Sequence, residues 1–292
     1  MLLYLLLGYL LCRTGVLSAA GSREIAAMLV KLIIPAVIVN SFCTAFSAQR
    51  LLLLAQGFAL SAAALLLAMV AARLLFHRYP LENFSAAFSN AGFMGIPMVQ
   101  AVLGSEAVLY IAPFVALLNL LQWTYGVDVI CEKRSPISLR QIFWNPPMVA
   151  IGIGLVLFVT GAGTALPAVL AGPLTGLAAL NSPLAMIVLG IYLARETPAS
   201  LFSSPRLYLV SAARLIAIPL LTLALLWLLP AHSQVALAVM ICAAAPVGAN
   251  VAVYAQLHGK DHAYASKIVV VSTLLSLITL PVMTIVSQRI FL

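Results

Sequence analysis

The sequence predicts an all-α polytopic membrane protein whose ten transmembrane helices form two inverted five-helix repeats, with helices 4 and 9 broken in mid-span. Three observations carry this. The first is composition: 64% of the 292 residues are hydrophobic and 8% charged, at a mean hydropathy of +1.15, whereas soluble domains average about 45–50% apolar and ~25% charged residues. The second is a pair of interruptions inside apolar runs, SNAGFMGIP at residues 89–97 and AAAPVGANVAVYAQ at 243–256. The third is the placement of basic residues, which alternates with the spans as the positive-inside rule requires.

The spans run over residues 2–17, 25–46, 51–75, 84–103, 108–130, 147–160, 174–194, 207–229, 235–257 and 265–290. The first and sixth are short for a ~30 Å hydrocarbon core. The first lacks the basic n-region of a signal peptide and reads as a span. In the fourth, Gly92, Gly95 and Pro97 lie close together, and Pro97 cannot donate the bond a continuous helix needs. Backbone groups freed in hydrocarbon survive only where protein buries them or where they line a polar cavity. Two such breaks in corresponding halves point to the binding site of a secondary transporter.

With the N-terminus outside, all of the 15 Lys and Arg except Arg50 and Arg289 fall on the cytoplasmic side. Both termini are then outside the cell membrane. The longest loop, CEKRSPISLRQIFWN at 131–145, is cytoplasmic and links a first repeat, 1–130, to a second, 146–292. The net charge of +8 is thereby explained by loops, and no nucleic-acid partner is expected. Cys12, Cys43, Cys131 and Cys242 stand alone, without metal-ligand spacing, and read as packing residues.

The halves echo each other. GYLLCRTG at 8–15 shares half its positions with GLVLFVTG at 154–161. Pro35 answers Pro183, Pro97 answers Pro246, and Gly104 with Glu106 answers Gly259 with Asp261, all in one order at nearly constant separation. Five spans is an odd number, so the second repeat enters the membrane inverted.

SNAGFMGIPMVQAVLG (89–104), APVGANVAVYAQLHGKD (245–261), NSPLAMIVLGIYLA (181–194) and STLLSLITLPV (272–282) resemble the corresponding segments of the auxin efflux carrier family, bacterial members included. The resemblance covers nearly the whole chain. It implies a fold like the bile acid sodium symporters, with a scaffold of spans 1, 2, 6 and 7 and a transport core of spans 3–5 and 8–10. It also implies crossed, unwound spans 4 and 9 around the substrate, elevator-type movement, a homodimer, and permease activity toward small organic anions such as malate, malonate or auxin-like carboxylates. Sodium-coupled symport of the bile acid type is the alternative. The loop after span 5 is short, so the cytoplasmic regulation of the plant carriers does not carry over.

Pro97 and Pro246 each suit the first position of the half-helix that follows, where a missing N–H costs nothing. The two N-terminal ends would meet near the midplane, each with roughly half a positive charge, and an anion is the natural ligand. The expected substrate-site residues are Asn90, Gly92, Gly95, Pro97, Pro246 and Asn250. Further candidates are Asn40 from the scaffold, Asn119, Gln122 and Thr124 in span 5, and Arg214 in span 8. The bland reading makes these polar residues interhelical glue. Lys31 and Arg214 are expected to snorkel to the cytoplasmic surface, Arg214 being the better candidate for a counter-ion.

Glu24, Glu82, Glu106, Asp128, Glu132, Glu196 and Asp261 sit in loops or at span ends, which leaves no buried acid for a proton relay. Coupling would use neutral oxygens for sodium, a substrate proton, or nothing, and no cofactor or metal centre is expected. His77, His232, His258 and His262 lie in loops or near span ends, and neither HExxH nor GxSxG occurs, so the chain is not expected to be an enzyme. A non-transport receptor would not need two symmetric breaks.

Overall fold

The computed structural model describes residues 2–132, 144, 146–195, 197 and 204–292. The expected linker at 131–145, apart from Cys131, Glu132 and Trp144, lies outside them, as do Lys133, Arg134, Arg140 and Glu196. Helices occupy each of the ten stretches expected to span the membrane. These are α1 (Leu2–Arg13), α2 (residues 19–42), α3 (Ala48–Phe76), the two-piece fourth stretch α4 (Pro80–Ala87) and α5 (Ala91–Leu103), and α6 (Ser105–Cys131). The second half repeats the order: α7 (Pro146–Thr160), α8 (Ala168–Arg195), α9 (Pro205–Leu228), the two-piece ninth stretch α10 (Ser233–Ala244) and α11 (Asn250–Leu257), and α12 (His262–Phe291). Six of them, α2, α3, α6, α8, α9 and α12, are long and apolar enough to cross a membrane, so the chain is a multi-pass membrane protein.

Local chemistry sets the boundaries. The side chains of Ser18, Ser47 and Asp261 accept from the backbone N–H three residues on and start α2, α3 and α12, satisfying a first-turn donor that has no helical acceptor. Pro80 and Pro205 open α4 and α9 from the first turn, where a missing N–H is harmless. Gly104 and Gly161, at φ of 86° and 72°, end α5 and α7.

Three helices carry one wide π-turn each, at Leu29–Ile33, Ala91–Gly95 and Ala213–Ala217, and each is followed directly by Ile-Pro: Ile34-Pro35, Ile96-Pro97 and Ile218-Pro219. The isoleucine N–H reaches back five residues in each case, to Leu29, Ala91 and Ala213. A proline ring collides with the carbonyl four residues before it, and one extra residue in the turn relieves that collision. A fourth π-turn, Gln122–Gly126, has no proline after it.

α1 packs against α8 through facing glycines. A methyl group on Gly8 would lie 2.2 Å from the Ile187 carbonyl oxygen, and one on Gly190 2.0 Å from that of Leu5, a close approach that van der Waals packing between membrane helices rewards. α2 meets α7 and α8, while α3 packs on α4, α6, α9 and α10. The centre is α10, buried from Val235 to Ala244; a helix apolar on all sides is a membrane span or a core element, and here it is surrounded by protein. One expectation about charge is corrected: Glu82, in the first turn of α4, is buried at 6% exposure and accepts from the Tyr264 hydroxyl at 3.1 Å. Its place near a chain turn concealed that α12 folds over it, and the positive end of α4 favours a carboxylate there.

Candidate functional site

Both broken stretches part at short non-helical segments, Phe88 to Asn90 and Ala245 to Ala249, and these two segments pair. Ser89 faces Val247 in an antiparallel bridge, the Asn90 N–H donates to the Pro246 carbonyl at 2.7 Å, and the Gly248 N–H donates to the Phe88 carbonyl at 3.0 Å. The Val247 N–H donates to the Ser272 hydroxyl at 3.3 Å. Backbone groups released by the breaks thus satisfy one another inside protein, which is what lets irregular chain persist at such a depth. Gly248 permits the approach, since a methyl there would lie 3.2 Å from the Ser89 carbonyl oxygen.

The breaks lie elsewhere than the sequence suggests. Pro97 is not at the first position of the second half-helix; α5 already starts at Ala91, and Pro97 sits one wide turn inside it. Pro246 lies four residues before α11, in the paired segment, with its carbonyl as an acceptor. Pro246 lies in the interruption of the ninth stretch and Pro97 sits behind the π-turn of α5, but neither caps a half-helix at the site. Gly95 faces Cys242 of α10, its missing methyl leaving 3.1 Å to the sulfur, and is a packing residue between α5 and α10.

A cavity of about 40 Å³ lies where the segments cross, lined among others by Ser89, Asn90, Gly92, Asn119, Gln122, Gly248 and Asn250. The structure therefore brings together five expected residues, Asn90, Gly92, Asn119, Gln122 and Asn250. The start of α5 points into it, leaving the N–H groups of Ala91, Gly92 and Phe93 without an intrahelical acceptor. Asn250 donates from Nδ2 to Gln122 Oε1 at 3.1 Å, and that bond directs the Gln122 amide nitrogen away from Asn250. Among the described residues, three buried polar atoms at this cavity have no partner: Asn90 Nδ2, Gln122 Nε2 and Ser89 Oγ. All three can donate, and buried donors left unpaired call for a ligand or water.

Three expected residues work elsewhere. Asn40 accepts from the Thr175 hydroxyl at 3.2 Å and ties α2 to α8, while the Thr124 hydroxyl donates to the Leu120 carbonyl of its own helix. Arg214 does not snorkel. Its side chain is 1% exposed, with Nη1 donating to the Ala86 and Ala87 carbonyls at 3.0 and 3.3 Å and Nη2 donating to the Ala243 carbonyl. Lys31, by contrast, is exposed. Distance along a helix from its end could not separate the two, because that distance does not say which face looks at the protein. Ser89 and Gly248 were missed: serine in an apolar helix commonly bonds its own backbone, and only the paired geometry shows why glycine is needed.

A second, larger cavity of about 440 Å³ opens between the end of α3, the start of α4 and the end of α6, lined by Arg73, His77, Pro80, Asn83, Tyr125, Asp128, Val129 and Glu132. It leads to the surface through exposed Arg73, His77 and Glu132.

Comparison with known proteins gives the family of the chain. The family described as "Membrane transport protein" matches residues 1–141 and 132–284. A protein of Methanothermobacter thermautotrophicus described as "Uncharacterized transporter" is 28% identical over 206 residues, covering 69% of this chain. The chain spans just under two thirds of that relative, 66% of its length.

Proposed function

Since the chain belongs to the membrane transport protein family, that of the auxin efflux carriers, we propose that it is a secondary transporter that holds a small organic anion, such as a dicarboxylate or an auxin-like carboxylate, where its two broken helices cross. The observation that carries this reading is the cluster of unpaired donors, Asn90 Nδ2, Gln122 Nε2 and Ser89 Oγ, around a cavity at the start of α5. Among the described residues, no acidic side chain lines that cavity. A carboxylate would accept from these donors and from the free N–H groups of α5, whose end carries roughly half a positive charge.

A cavity of about 40 Å³ has room for about one water, whereas ligand pockets run to roughly 300–1,000 Å³. The substrate-bound state in this reading requires α5, α6 and α11 to separate at this point. In this reading all ten stretches span the membrane as two inverted five-helix repeats with both termini outside. The matching order of elements in the two halves and the one-sided distribution of Lys and Arg support it. α1, α2, α7 and α8 would form the scaffold against which the remaining helices move. The exposed apolar residues Ile153, Val156 and Val159 of α7 supply a surface for lipid or for a second copy in a homodimer.

The test measures affinity and melting temperature on one purified sample of Asn90→Ala. A hydrogen bond to a charged group contributes about 1.5–3 kcal/mol, so affinity for the transported anion should fall roughly tenfold to a hundredfold, with little change in melting. Unchanged affinity with a lowered melting point would make Asn90 helix glue and retire the site.

A further inference from the structure

The C-terminal ends of α4 and α10 lie together on Arg214. Every helix leaves its last carbonyls without intrahelical partners and carries roughly half a negative charge at that end. Two such ends amount to about one negative charge. In transporters with broken helices, half-helix C-terminal carbonyls are where the coupling cation is coordinated. Here the position is filled by a guanidinium, bonded to Ala86 and Ala87 of α4 and to Ala243 of α10, and it balances about the charge those ends present.

Arg214 is 1% exposed, so it is not at the surface, and it does not line the cavity at the crossing. The ion pairs among the described residues, Arg50 with Glu106 and Lys260 with Glu132, lie elsewhere. Its backbone is set by the π-turn that Pro219 imposes on α9, which widens the helix where the side chain leaves it. Of its nitrogens, only Nε lacks a partner among the described residues.

We propose that Arg214 is a tethered cation standing where a mobile coupling ion would bind, so that this protein works without sodium, and that removing it uncovers a monovalent-cation site built from the Ala86, Ala87 and Ala243 carbonyls. The transport part of this inference rests on the function proposed above. The ion-binding part stands on the carbonyl geometry alone.

The experiment compares melting of purified wild-type protein and Arg214→Ala in choline, sodium and millimolar guanidinium chloride at constant ionic strength. The wild type should melt at one temperature in all three. Arg214→Ala should melt lower in choline and recover much of the loss in guanidinium or sodium, a response that loss of packing alone would not give. If Arg214→Ala does not yield folded protein, Arg214→Lys supplies the reading: a tethered ammonium should keep melting insensitive to sodium. Sodium stabilisation of the wild type or of Arg214→Lys, or a folded Arg214→Ala indifferent to both added cations, overturns the proposal. Absence of uptake by wild-type protein would count against the transport function and leave the melting comparison to stand by itself.

Discussion

Asn90 and Asn250 occupy corresponding places at the two breaks, but they are bonded differently. Asn250 donates to Gln122 Oε1, while Asn90 Nδ2 has no partner among the described residues. Asn250→Ala should therefore act first on stability: it removes the donor to Gln122 Oε1, on a residue that is 1% exposed, and an unsatisfied buried group costs about 1–3 kcal/mol. Melting should fall, and affinity should fall less than in Asn90→Ala. Equal loss of affinity in the two variants, with melting unchanged, would show that Asn250 is a direct ligand. Of the site, the amides were legible in the sequence because an amide in an apolar span is conspicuous and must find a partner. The role of Arg214 was not, since two positions at similar depth, Lys31 and Arg214, differ only in the side of the helix they occupy.

At the scale of elements, the proline that marks the fourth span as broken acts at a distance from the break. Pro97 holds the π-turn Ala91–Gly95, and that turn aims Asn90 and the first N–H groups of α5 at the cavity. In Pro97→Ala the restored N–H can bond the Phe93 carbonyl and let the turn tighten to an α-helix. One residue of extra winding corresponds to about 100° of rotation, enough to turn Asn90 out of the cavity. Transport per molecule of folded protein should drop by roughly tenfold or more, the loss of a single well-placed hydrogen bond to a charge, while expression changes little. Wild-type transport by Pro97→Ala would mean that the π-turn does not position the site. The sequence showed that both spans break but placed the breaks at their prolines; the chain parts instead at Phe88 to Asn90 and Ala245 to Ala249, because those segments can pair with each other, and pairing between distant segments has no local signature.

For the whole molecule, composition alone indicated a membrane protein, and every expected stretch contains a helix. Which helices lie inside was not legible. α10 is as apolar as a lipid-facing helix, yet it is buried from Val235 to Ala244, since protein and lipid impose the same composition on a helix without a polar side. The packing of Gly8 and Gly190 against opposing backbone is likewise a property of pairs. Whether the crossing of α4–α5 with α10–α11 carries a small organic anion across the membrane is decided by uptake of a radiolabelled dicarboxylate into proteoliposomes, with wild type and Asn90→Ala reconstituted in equal amount. Saturable uptake by the wild type, the same in sodium and in choline, and its reduction in Asn90→Ala are the predicted results; uptake no greater than in empty liposomes for every small organic anion tried, or uptake untouched by Asn90→Ala, would contradict the account.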